Sequence, residues 1–224
     1  MSRVIVFDLD DTLFSEHDYV KSGFQAVSVY LKDQYEIQNF FSVAWKLFKS
    51  GVRGDVFNRA LTELGMGSEA TLISTLVNVY REHDPDIKLF ADGVWALNYF
   101  SDQVPLALIS DGYLVAQQKK AEALGVAKFF KEMYFTDQWG REYWKPSSFV
   151  FEKVESRFGV SGEDCVYIAD NPKKDFISPN KMGWLSVRVK RKGSEYQTQT
   201  VPEGGEAKIV ISDLYSLKTL GIVT

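Results

Sequence analysis

The chain has 224 residues, a formal charge of −4, and 45% apolar and 14% aromatic residues. A composition that can bury a substantial core excludes a disordered tail, and the mild acidity argues against a nucleic-acid-binding domain, which is expected to be basic. One cysteine, Cys165, excludes an internal disulfide framework; no apolar run reaches the length of a membrane span and no leader pattern precedes the first strand, so the cytoplasm is the expected location.

The first predicted element is a strand, Val4–Phe7, which runs straight into three aspartates in "DLDDT", Asp8–Thr12. From about Ser15 to Pro85 the apolar spacing is helical, with Phe41, Trp45 and Phe48 on one face and Leu61, Leu64, Leu72 and Leu76 on others, all read as packing positions. Further strands are expected at Val104–Ile109, Cys165–Ala169 and Trp184–Val189, with a weaker one at Lys208–Ile211. Helices are expected at Tyr113–Leu124, Ser147–Phe158 and Pro172–Met182. Arg191–Glu206, rich in Gly, Ser, Thr and Glu, reads as a long mobile loop. Strands alternating with helices predict an α/β fold with a doubly wound, mostly parallel, Rossmann-like sheet. Its core would comprise 1–14 and 86–224, with a small helical domain, 15–85, inserted after the first strand.

In open parallel sheets, ligands bind beyond the carboxyl ends of the strands. Three of the apolar runs deliver a polar residue at that place: Asp8 after "VIVF", Ser110 after "PLALI" and Asp170 after "CVYIA". Lys145 in "WKPSSF" precedes Pro146, read as a first-turn helix residue. Asp8 and Asp10, at i and i+2, project from one side of an extended segment. Two such carboxylates need positive charge nearby, and a divalent cation together with Lys145 would supply it. Magnesium fits an oxygen donor set, whereas two histidines and one cysteine make zinc a poor choice.

With these residues in place, "DLDDT" resembles the first motif of the haloacid dehalogenase-like superfamily of phosphohydrolases. "ISDG", Ile109–Gly112, is similar to its second motif, Lys145 to its third, and "IADNPKKD", Ile168–Asp175, to its acidic fourth. The resemblance covers the core, and the helical segment matches the family's cap in position and helical character. It implies that Asp8 attacks phosphorus and forms an aspartyl-phosphate, and that Asp10 protonates the leaving oxygen and then deprotonates the attacking water. It further implies magnesium held by Asp8, Asp170 and the backbone carbonyl of Asp10. Ser110 and the backbone N–H groups around Asp111 and Gly112 would hold the phosphoryl oxygens, and Lys145 would neutralise charge. Asp175 and Thr12 would stand behind these groups, Asp175 orienting Lys145 or a metal-bound water. Asp10 itself favours phosphate esters, since the dehalogenase branch replaces that second aspartate.

The expected partner is therefore a small-molecule phosphate ester, with no nucleic acid or membrane, for a monomer or homodimer. A phosphosugar mutase shares every one of these core residues and remains the alternative. A receiver-like signalling protein uses similar groups, but it is much shorter and carries its acceptor aspartate after a middle strand. Candidates for choosing the ester are His17, Tyr19, Trp45 and Arg53. His17 is weighed against a hinge or surface histidine and Arg53 against an ordinary exposed arginine. Lys190–Lys192, "KRK", reads as a solvated run ending a strand, and the aromatics of "WGREYW" before Lys145 have no role legible in the sequence.

Overall fold

Val4–Phe7 forms strand β1, and all four residues are buried. A strand covered on both faces needs no polar alternation, which is why its sequence is a continuous apolar run. The computed structural model describes residues 4–192 and 200–223. The other strands are β2 (Leu106–Ser110), β3 (Glu132–Phe135), β4 (Cys165–Ala169), β5 (Leu185–Val189) and β6 (Ile209–Ile211). Among the described residues they make one six-stranded sheet, in the order β3-β2-β1-β4-β5-β6. Every pairing in it is parallel.

The chain thus winds from β1 outward through β2 to β3, then returns to place β4 on the other side of β1. The winding direction reverses between β1 and β4, and a crevice is expected beyond the carboxyl ends of those two strands. Their register pairs Phe7 with Ile168 and bonds the Asp8 N–H to the Ile168 carbonyl at 2.9 Å. The residues that follow the two strands, Asp8 and Asp170, are therefore brought to the same end of the sheet.

The chain divides into two units, Met1–Ser15 with Lys88–Thr224, and Glu16–Ile87. The second contains helices α1 (Glu16–Tyr35), α2 (Phe40–Lys49), α3 (Val56–Glu63) and α4 (Ala70–Glu82). Its core gathers Phe24, Leu31, Phe40, Ala44, Phe48, Leu61 and Leu76, with Phe41, Trp45, Leu64 and Leu72 only partly buried around it. The centre of the buried face of α2 is thus Phe40, Ala44 and Phe48, so its predicted stripe was displaced by one position for Phe41 and Trp45. Gly23 permits close packing here: a Cβ on it would lie 2.4 Å from the Tyr80 ring.

The sheet unit carries α5 (Ala91–Ser101), α6 (Leu114–Ala123), α7 (Phe149–Phe158) and α8 (Ile177–Lys181). Several elements differ from expectation. β3 and α5 were not foreseen, and α7 begins at Phe149, so Pro146 is not in its first turn; the Lys145–Pro146 peptide is cis. The helix expected over Pro172–Met182 contracts to α8. Its first half is a polar turn whose bonds are closed locally: Asp175 Oδ2 accepts from the Asn171 N–H at 2.9 Å, and Asn171 Oδ1 accepts from the Lys173 N–H at 3.0 Å. Side chains that bond their own backbone compete with helix formation. The loop expected over Arg191–Glu206 falls largely on residues 193–199, outside the described residues; 200–206 contains no helix or strand. No helix among the described residues is long and apolar enough to cross a membrane.

Candidate active site

Lys145 is the centre of the crevice. Its side chain is fully buried, and its Nζ lies 2.7 Å from both Asp8 Oδ1 and Asp175 Oδ1. It donates to Asp8 and to the Tyr167 hydroxyl at 2.9 Å, while Asp175 completes the ion pair off the hydrogen-bond directions. A buried ammonium is unfavourable alone, but Asp175 and Asp8 outweigh that burial and hold Lys145 well above its usual range, hence charged. Asp8 shows the opposite balance. Burial pushes its carboxyl up to about 7, and Lys145 offsets only part of that.

Asp8, Asp170 and Asp175 each offer a carboxylate oxygen within 4.8 Å of the others. When all are ionised, three carboxylates against the Lys145 ammonium leave two negative charges in a buried pocket. An all-oxygen set with that surplus suits a hard divalent cation such as magnesium. Asp175 is the least available of the three, because Oδ1 pairs with Lys145 and Oδ2 accepts from Asn171. Arg188 Nε donates to the Asp170 backbone carbonyl at 3.1 Å, fixing the turn that presents that carboxylate. Thr12 Oγ1 stands 3.4 Å from Asp8 Oδ2.

At the tip of β2, Ser110 is buried and its hydroxyl donates to Gln117 Oε1 at 2.9 Å. Gly112 follows at φ +136°, and a Cβ there would lie 2.4 Å from Gln117 Nε2, so this turn requires glycine. Asp111 turns its carboxylate inward. Oδ1 accepts from Thr136 Oγ1 at 2.8 Å and from the Lys145 N–H at 3.2 Å, and Oδ2 pairs with Lys174 Nζ at 2.8 Å. Burial alone would raise its carboxyl, but Lys145 and Lys174 prevail and hold it below the usual range. Asp111 thus ties β2 to the loop that carries Lys145.

Several of these groups carry no signal in the sequence. Tyr167 sits inside "CVYIA" and reads as one more apolar strand residue, although its hydroxyl reaches Lys145. Lys120 and Gln117 lie on α6, where "QQKKAEA" looks like a solvated stripe, yet both are buried. Lys120 Nζ lies 2.6 Å from Asp10 Oδ1. Arg191 does not belong to a solvated run: it holds Asp92 through Nη1 and Nη2 at 2.8 and 3.1 Å and donates to the Thr12 carbonyl at 2.9 Å. Its guanidinium also lies 4.1 Å from the Phe90 ring centroid, so this cation braces the first motif from behind.

The aromatics before Lys145 are a buttress for its loop. Trp144 Nε1 donates to Asp137 Oδ1 at 3.2 Å and meets Tyr113 edge-on, while Trp139 and Tyr143 pack on Phe149 of α7. Of the candidates for choosing the ester, all four are engaged within the helical unit. His17 and Trp45 pack on Phe48, and Tyr19 donates to the Tyr80 carbonyl at 3.3 Å. Arg53 donates to the carbonyls of Phe48 (2.7 Å) and Val52 (2.9 Å), capping the last turn of α2.

A doubly wound parallel sheet thus ends in a lysine-clamped acidic cluster. The signature described as haloacid dehalogenase-like hydrolase matches residues 5–189, and the chain belongs to that family. Two curated relatives are glyceraldehyde 3-phosphate phosphatases. That of Methanopyrus kandleri is 26% identical over 204 residues, 85% of each chain. That of Methanothermobacter thermautotrophicus is 25% identical over 228 residues, 98% of this chain and all of the relative. The magnesium-bound crystal structure of YfnB from Bacillus subtilis is similar in fold, with a TM-score of 0.70, 20% identity and 98% of each chain covered.

Proposed function

We propose that the protein is a magnesium-dependent phosphatase that hydrolyses a small phosphomonoester through an aspartyl-phosphate on Asp8. The observation that supports this reading is the Asp8–Lys145–Asp175 arrangement beside Asp170, a buried carboxylate held by an ammonium within a cluster of oxygen donors. Magnesium would be held by the carboxylates of Asp8 and Asp170 and the backbone carbonyl of Asp10; when bound, it would neutralise charge on the phosphoryl oxygens.

Asp8 attacks phosphorus, and the ester P–O bond breaks with its electron pair passing to the leaving oxygen. Asp10 gives that oxygen a proton. A water then attacks the phosphorus of the aspartyl-phosphate, Asp10 takes a proton from it, and the bond to Asp8 breaks to release phosphate. Lys145 neutralises Asp8 and the transferred group, and Asp175 and Tyr167 hold the ammonium in place. Ser110, rotated from Gln117, and the N–H groups of Asp111 and Gly112 would bind the phosphoryl oxygens. Thr12 supports Asp8 from behind.

The names of the two relatives support a phosphorylated three-carbon aldehyde, glyceraldehyde 3-phosphate, as the first substrate to try. The direct test is release of inorganic phosphate from that ester and from p-nitrophenyl phosphate. Thorough chelation is expected to abolish release and added magnesium to restore it. Full activity after chelation would remove the metal from the account, and transfer of the phosphoryl group to another sugar hydroxyl without phosphate release would favour a mutase.

A further inference from the structure

A helix that packs on a sheet ordinarily buries an apolar stripe. α6 does not. Its buried residues are Ala116, Gln117, Lys120 and Ala121, so the inward face is half polar. Burying an amide and an ammonium is costly unless each is paired, and a buried lysine is rare without a counter-charge. Both have partners in the crevice. Gln117 accepts from Ser110 at 2.9 Å, and Lys120, one turn on, stands 2.6 Å from Asp10 Oδ1. The side chain of Lys120 is only 4% exposed, that of Asp10 20%. The ammonium therefore holds one carboxylate oxygen from inside while the group remains open to solvent.

We propose that Lys120 is a positioning residue for acid–base catalysis: it fixes the Asp10 carboxyl in the orientation that delivers a proton to the leaving oxygen. This rests on the phosphatase reading. A loose carboxyl can turn away from the leaving group, and small displacements of a reacting group cost large factors in rate. Lys145 does not do this work, because its ammonium is engaged by Asp8, Asp175 and Tyr167. Lys120 also lies 5.8 Å from the centroid of the Phe14 ring, a residue that bridges to Asp10 through its backbone.

The role is distinguished from a structural one by the leaving group. An alkyl alkoxide needs a proton as it departs, whereas p-nitrophenolate leaves without one. kcat/KM reports events up to the first irreversible step, the transfer to Asp8 in this mechanism. In Lys120→Met, kcat/KM for an alkyl phosphate should fall at least about tenfold more than for p-nitrophenyl phosphate, within the roughly 10²–10⁴-fold that general acid catalysis supplies. In an Asp10→Asn background, where no carboxylate remains to be held, the same substitution should leave the ratio unchanged. Equal losses on both esters, or no loss on either, would overturn the proposal, as would a further change of the ratio in the Asp10→Asn background. Where Lys120→Met does not yield folded protein, Lys120→Gln is put to the same comparison. A wild-type protein that hydrolyses neither ester would sink the phosphatase reading instead, so the two failures are distinguishable.

Discussion

Asp8→Asn is expected to abolish turnover and, at pH 8 without metal, to raise the thermal midpoint of the protein. The first effect follows because an amide is a poor nucleophile and a poor cation ligand. The second follows from burial. Asp8 titrates at about 7 in the folded chain against an ordinary value of 3.8. Between those pH values the folded state holds a proton that the unfolded state has lost, so stability falls as pH rises through that window and stays reduced above it. The neutral amide removes that penalty, while Asp175 remains to pair with Lys145. In domains of about 150–250 residues, 1 kcal/mol corresponds to roughly 2–4 °C, so a gain of several degrees is measurable by calorimetry. Magnesium should stabilise the wild type more than the variant, since the variant has lost one ligand. A variant less stable than the wild type at pH 8 would show that the Asp8–Lys145 attraction exceeds the desolvation cost.

Lys145→Met should be the most damaging single change in the sheet unit. It leaves the buried carboxylates of Asp8 and Asp175 without their shared ammonium and leaves the Tyr167 hydroxyl without its donor. Breaking a buried ion pair by removing one partner typically costs about 3–5 kcal/mol. The loss should grow with pH as Asp8 ionises, and saturating magnesium should recover part of it by supplying positive charge to Asp8. Turnover should remain absent even where folding is recovered, because the phosphoryl group has lost its fixed cation. Denaturant unfolding at two pH values, with and without magnesium, checks both statements. Destabilisation that is independent of pH and metal would mean that Lys145 contributes packing rather than charge.

What was legible in the sequence follows from the geometry of a parallel sheet. β1, β2 and β4 are buried on both faces, so their sequences are short apolar runs, and the polar residue that ends each run marks the crevice. Asp8, Ser110 and Asp170 stand at the ends of three such runs. β3 escaped because it is an edge strand that begins with Glu132 and Met133, both only partly buried, and its apolar run, Met133–Phe135, is only three residues long. Lys120 and Gln117 escaped for the reverse reason: a polar stripe on a helix reads as solvated, and it takes tertiary partners, Asp10 and Ser110 among them, to make its burial tolerable. Arg191 was hidden by its neighbours Lys190 and Lys192, since composition does not tell which cation of three folds back onto Asp92. The turn after Asp170 was mistaken for helix because Asn171 and Asp175 close its backbone bonds with side chains, which helical spacing alone does not register.

The claim on which the rest depends is that the phosphoryl group passes through Asp8 rather than directly to water. The stereochemical course at phosphorus decides it, using an ester made chiral through oxygen isotopes and hydrolysed in isotopically labelled water. Two successive in-line displacements, the first by Asp8 and the second by water, predict net retention of configuration. Inversion would mean a single displacement by water and would contradict the aspartyl-phosphate.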